Sequence, residues 1–250
     1  MKKSYTKKNP YVMVVLAAFL CTFMTALGTA VPQIIDLNTD VQIAVTTVFL
    51  MVSSAIGIVL MKKSGFSLAD HGFRRSEGET SRKLWWYAPL VVMEILPIII
   101  YGFSPEIKVI QYIIIAFFTI AVGFNEEIYF RGLALKLLEE KGSKRAIIFS
   151  SVVFGMLHLV NALNDKDTLY LVLQMFFAFL VGFVLAEIVS VTKSLWIVII
   201  WHAAHDFIAS TTSEALDAGA LIILAIQVGI LLVYAVYIWK TGIRYMNEDR

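Results

Sequence analysis

The feature that most limits what this chain can fold into is a succession of eight apolar runs. They lie at 11–31, 41–61, 84–103, 107–138, 146–159, 169–191, 194–210 and 218–239, separated by short polar segments. The hydrocarbon core of a bilayer is about 30 Å thick, which a helix crosses with about 20 apolar residues. In that solvent every backbone N–H and C=O must be bonded internally, so runs of this kind fold as helices. The charged fraction is 16%, against about 25% in soluble domains, and no stretch is left for a separate soluble unit. The sequence therefore reads as an all-α, multi-pass membrane protein with about eight transmembrane helices, forming a single membrane domain over residues 1–250. The fourth run is too long for a perpendicular span and the fifth is short, so tilt, a break or extension beyond the bilayer is expected.

Charge placement gives the orientation. If every run crosses, the N-terminal lysines, the 62–83 loop with Arg74 and Arg75, the 141–145 turn, Lys193 and the tail with Lys240, Arg244 and Arg250 share one side. By the positive-inside rule that side is cytoplasmic, with both termini on it. The opposite loops carry Asp36, Asp40, Glu106, Asp165, Asp167, Glu214 and Asp217 against Lys108 and Lys166. The basic start also resembles a secretory signal, with small Gly28 and Ala30 beyond it. However, its apolar run exceeds the usual signal core of about 7–15 residues and more spans follow, which favours a retained helix. A formal net charge of +2, with the basic residues dispersed in short clusters, is too small to suggest a nucleic-acid partner, and none is expected. The lone Cys21 permits no intramolecular disulfide and reads as a packing residue.

A charge at the centre of a membrane helix costs about 2.5–3.5 kcal/mol on insertion scales, so each one inside a run needs a reason. The exceptions gather in three places: Asn125, Glu126, Glu127 and Arg131; then His158; then His202, His205 and Asp206. On a helix Glu127 and Arg131 stand at i and i+4 and can pair, whereas Glu126 points about 100° away. One carboxylate is thus neutralised locally and the other is left to face something else, as a general base must. His158 alone reads more readily as a packing residue than as a catalyst. Its depth argues otherwise. Glu126 lies 12 residues before Leu138 and His158 lies 12 after Ala146, so an antiparallel hairpin puts both about 18 Å from the intervening turn. In the third cluster His202 and Asp206 share a face, and Ala203 and Ala204 are small enough to let another helix approach.

A carboxylate, a histidine and a His/Asp pair make a set able to activate water and stabilise an oxyanion. Metal chemistry competes, because Glu126, His158, His202 and Asp206 are all of zinc-ligand type. The spacing does not decide between them.

These residues resemble the signatures of the CAAX-protease and bacteriocin-processing family, Glu-Glu-x-x-x-Arg, Phe-x-x-x-His and His-x-x-x-Asn or Asp. They occur in order as Glu126-Glu127…Arg131, Phe154…His158 and His202…Asp206. The resemblance implies a helical fold of roughly eight spans around a polar intramembrane cavity open toward the cytoplasm. It also implies hydrolysis of a peptide bond in a short, lipidated or membrane-anchored peptide. In that scheme Glu126 and His158 activate water while His202, with residue 206, stabilises the oxyanion, and Glu127 and Arg131 support the site. No cofactor is required in the preferred reading, with zinc as the alternative. The bacterial-looking form of the signatures points to a bacterial plasma membrane. Asp206 departs from the eukaryotic asparagine, since an ionised aspartate repels an oxyanion. His205, Glu94 and Glu187 are off the signatures, and Glu187 reads as interfacial. The rival readings are a proton-coupled transporter and a non-catalytic bacteriocin-immunity protein. The first predicts repeats in the two halves, and no matching half is found.

Overall fold

In the computed structural model the described residues are 9–76, 87–164, 168–212 and 217–243. Among them all regular structure is helical and no strand forms. Helix α1, Pro10–Ile34, starts where the Asn9 side chain accepts from the Tyr11 N–H, with proline at its first position. Asn38 opens α2, Thr39–Lys63, in the same way by accepting from Val41 N–H. Then follow α3, Ala88–Tyr101, and α4, Val109–Glu127. A π-helical turn over Ile128–Ala134 leads directly to the short α5, Leu135–Leu138. The chain continues as α6, Ser143–Leu157, which passes into a 3-10 turn over His158–Asn164. Helices α7, Thr168–Thr192, α8, Trp196–Thr211, and α9, Ala218–Ile238, complete the bundle.

Among the described residues six helical stretches are long and apolar enough to cross a bilayer. Helices α3 and α8 are shorter, with 14 and 16 residues, or about 21 and 24 Å at the α-helical rise. The eight sequence runs thus appear as six long helices and two short ones, and the start of the 84–103 run lies outside the described residues. The over-long fourth run is one continuous helical rod, Val109–Lys141, that changes winding in its middle. The short fifth run gains length from its 3-10 extension. Within the apolar windows only 22–39% of residues are buried. Leu16, Phe19, Ile99, Phe117, Ile200 and Val233 therefore point outward. So much exposed apolar surface is compatible with lipid and not with water.

The two ends of the bundle differ in charge and are each tied by specific bonds. At the basic end, Leu195 N–H donates to Gly72 O and Arg74 Nε–H to Lys193 O, docking the segment after α2 onto the α7–α8 turn. In that segment His71 is buried and held through both ring nitrogens, Nδ1 by Gly132 O at 3.1 Å and Nε2 by Ser64 Oγ at 2.8 Å. Burial pushes the His71 pKa down, so the ring is neutral with Nδ1–H donating to the π turn. At the acidic end, Gln111 Nε2–H donates to Asp40 and Ser104 N–H to Thr211 O. The rod formed by α4, the π turn and α5 runs through the middle, with α2 and α8 packed on α4.

Candidate active site

The polar residues of the three clusters meet where α4 lies against α8, and the closeness of that contact depends on a glycine. A Cβ built on Gly123 would stand 2.9 Å from the backbone nitrogen of Ala203 and 3.1 Å from Ile199 O. Glycine on one helix facing alanine on the other lets the backbones approach, and the next turn of α4 carries both glutamates to His202. Gly123→Val is expected to force the helices apart and to lower both turnover and melting temperature. An unchanged pair of values, measured on purified protein, would contradict this packing.

His202 is the centre of the site. Its Nδ1–H donates to Glu127 Oε1 at 2.8 Å, and the same oxygen accepts from Arg131 Nη1 at 2.8 Å. Glu127 and Arg131 are almost wholly withdrawn from solvent, and the guanidinium lies over the Phe154 ring at 4.2 Å. Gly182 leaves room for that guanidinium, since a Cβ there would come within 3.1 Å of Nη2. With Nδ1 committed, Nε2 of His202 faces outward to Glu126 Oε2 at 3.7 Å and Asp206 Oδ2 at 3.6 Å. Both separations exceed direct hydrogen bonding and suit a bridging oxygen.

Glu126 points away from Arg131, as the helix geometry predicts, into a cavity of about 70 Å³ that it lines together with His158, Phe130, Phe154 and Thr25. Its Oε2 has no hydrogen-bond partner. His158 sits at the junction of α6 with the 3-10 turn, and its Nδ1–H donates to Phe154 O at 2.9 Å. That bond commits Nδ1–H and leaves Nε2 as the ring's other polar atom. Glu126 and His158 therefore share one cavity, while His202 and Asp206 stand at its Glu126 side.

The residues off the signatures have packing duties. Asn125 bonds Cys21 Sγ at 3.1 Å and accepts from Ser54 Oγ at 3.4 Å, joining α4 to α1 and α2. His205 bonds Glu94 Oε1 at 3.0 Å and stacks on Trp201, which explains the intramembrane glutamate of α3. Glu187, near the end of α7, is fully buried within the protein, where α7 packs against α6 and α9.

Sequence reasoning gave Glu127 one partner and missed the second. Only a helix 75 positions away supplies it, and the small residues of α8 were the available signal. Among the described residues no three His, Cys, Asp or Glu side chains are placed to hold a metal ion together. Of the set Glu126, His158, His202 and Asp206, the first two line the cavity, and His202 Nε2 lies near both Glu126 and Asp206.

Residues 108–208 match the family described as type II CAAX prenyl endopeptidase Rce1-like. Over this segment the chain is similar to the CAAX-protease family. The matched segment opens at the start of α4 and closes in α8, so it contains all three signatures and every residue that meets at His202. No curated protein and no solved structure gives a significant match to the chain. Of the helices outside the matched segment, α1 contributes Cys21 and Thr25 to the cavity and α3 contributes Glu94, the partner of His205.

Proposed function

We propose that this protein, similar over residues 108–208 to the CAAX-protease family, is an intramembrane endopeptidase that hydrolyses a peptide bond in a short, lipidated or membrane-anchored peptide. The observation that carries this reading is the unpartnered Glu126 carboxylate oxygen in the cavity it shares with the free nitrogen of His158. A water held there loses its proton to Glu126, with His158 as its second partner, and attacks the carbonyl. His202, oriented by the Glu127 carboxylate, presents Nε2 to the oxygen that gains charge. Asp206, whose Oδ2 lies 3.6 Å from Nε2, is assigned to supporting the imidazole. The test is a comparison of membrane proteomes from cells carrying the wild type and Glu126→Gln. A lipidated or anchored peptide that accumulates only with the variant identifies the substrate; identical peptide inventories count against a protease.

The reaction in this proposal uses no metal. Activity is expected to survive chelation, and activity lost on chelation and restored by stoichiometric zinc would replace the mechanism with a metal-assisted one. We further propose a bacterial plasma membrane, on the form of the signatures, with both termini cytoplasmic, on the Lys/Arg asymmetry between the loops. Single-cysteine reporters at Ser4 and Asn247, in a Cys21→Ser background, should stay unlabelled by an impermeant reagent in intact cells. Labelling of either one from outside would reverse the orientation or change the number of crossings.

A further inference from the structure

We propose that the cavity of Glu126 and His158 opens toward the acidic end of the bundle and is shut toward the basic end, so that its peptide is cut on the acidic side of the membrane. The substrate part of this inference rests on the protease reading above; the direction of the opening does not. Three elements wall the cavity: α1 with Cys21, Thr22 and Thr25, the rod with Glu126 and Phe130, and α6 with its 3-10 turn. The direction of each is fixed by the ends of the bundle. Helix α1 leads into α2 beside Asp40, at the acidic end, and the rod starts there too, since Gln111 bonds Asp40. Helix α6 starts at the basic end, where Ser143 shares a wall with Arg74 and Lys193, and runs back.

All three walls show the same gradient. On α1 Cys21 is buried, whereas Thr25, one turn nearer the acidic end, is half-buried. On the rod Phe130 is buried, and Glu126, one turn nearer the acidic end, is 18% exposed at its side chain. Beyond the buried Phe154, the third wall continues through Leu157, His158, Val160 and Asn161, all half-buried. Walls that all lose cover in one direction place the mouth of the cavity on that side. This is the reverse of the cytoplasmic opening expected from the signatures, because the basic end is the one the positive-inside rule assigns to the cytoplasm.

What lies beyond the two sides agrees with the gradient. Toward the basic end, Ala17 and Ala18 of α1, Phe130 and Leu133 of the rod and Phe154 of α6 belong to one buried apolar cluster. Phe130 meets Phe154 edge-on, with centroids 4.9 Å apart, and the Arg131 guanidinium lies over Phe154. Side chains packed at interior density leave no passage for a peptide. Toward the acidic end the neighbours are polar. Asn161 Nδ2–H donates to Gln174 Oε1 of α7 at 3.0 Å, and Thr22, Thr25 and Thr29 stand at i, i+3 and i+7 along one face of α1. Polar side chains inside a membrane bundle line water-filled space, and such space solvates the backbone of an entering peptide. The substrate is thus a lipidated or membrane-anchored peptide exposed outside the cytoplasm.

The experiment introduces Thr25→Cys and Asn161→Cys singly, in a Cys21→Ser background, and treats each with a small, charged, impermeant methanethiosulfonate. Intact cells are compared with inside-out vesicles, and Asn247→Cys marks the opposite face. Both cavity cysteines are expected to react in the preparation in which Asn247→Cys does not, several times faster than in the other. Reaction from the Asn247 face, equal reaction in both preparations, or reaction in neither overturns the proposal. Melting temperatures check that each variant is folded, and if one is not, the other carries the comparison. In a peptide that accumulates with Glu126→Gln, the cut bond is expected on the side of its membrane anchor away from the cytoplasm; a cytoplasmic cut overturns the substrate assignment. Labelling needs no turnover, so expected labelling without any accumulating peptide supports the direction of the cavity while counting against the protease reading.

Discussion

Glu126→Gln is expected to abolish turnover while leaving the fold and substrate binding nearly intact. Its side chain is 18% exposed and its Oε2 is unbonded, so an amide of the same shape breaks no hydrogen bond that holds helices together. The amide cannot take a proton, and general-base contributions of about 10²–10⁴-fold set the scale of the loss in kcat. KM should change little, because the groups that would bind the peptide remain. Single-turnover assays on a peptide identified by accumulation, together with the melting temperature of the variant, separate these effects. A variant that melts as the wild type and turns over at a comparable rate would falsify the assignment of Glu126 as the base.

The neighbouring glutamate should behave in the opposite order, with stability failing first. Glu127 Oε1 is the common acceptor for Arg131 and His202, and Glu127 and Arg131 lie within the packed interior. Removing one partner of a buried ion pair costs about 3–5 kcal/mol, since the remaining charge is left uncompensated. Glu127→Gln is therefore expected to melt well below the wild type in detergent. Its kcat should fall as well, because the carboxylate that orients the imidazole is gone. The double variant Glu127→Gln/Arg131→Gln should recover much of the stability, having no buried charge left to compensate, but none of the activity. A stable, inactive Glu127→Gln beside an active Glu126→Gln would exchange the two roles. A double variant no more stable than the single one would mean that the ion pair is not the source of the loss.

The contrast between adjacent glutamates shows how far local rules reach. The Glu127–Arg131 pair and the divergence of Glu126 follow from helical spacing alone, and both hold although the chain winds as a π turn from Ile128 to Ala134. Nothing in the residue pattern marks that turn. A π turn differs from an α turn by one residue in the hydrogen-bond register, and here all seven residues are buried whichever winding they adopt. What favours it lies elsewhere in the chain: Ser53 O accepts from Tyr129, and His71 donates to Gly132 O. Glu187 shows the same limit in another form. Its place near a helix end reads as interfacial, but burial depends on which helices pack against that end.

The apolar runs, the charge asymmetry of the loops and the three polar clusters are written in the sequence, because the bilayer acts on each helix separately through length, hydropathy and charge. The helical class, the multi-pass character and the small set of residues worth testing follow from those terms. Tertiary structure alone decided that His202 stands against Glu127 with its other nitrogen toward Glu126 and Asp206. It also decided that Glu126 and His158 open onto one cavity, and that the Phe130 and Phe154 rings pack against each other at its wall. The first of those outcomes depends on how closely α4 and α8 approach at Gly123 and Ala203. Such an approach is a property of two surfaces in contact, which neither segment carries by itself.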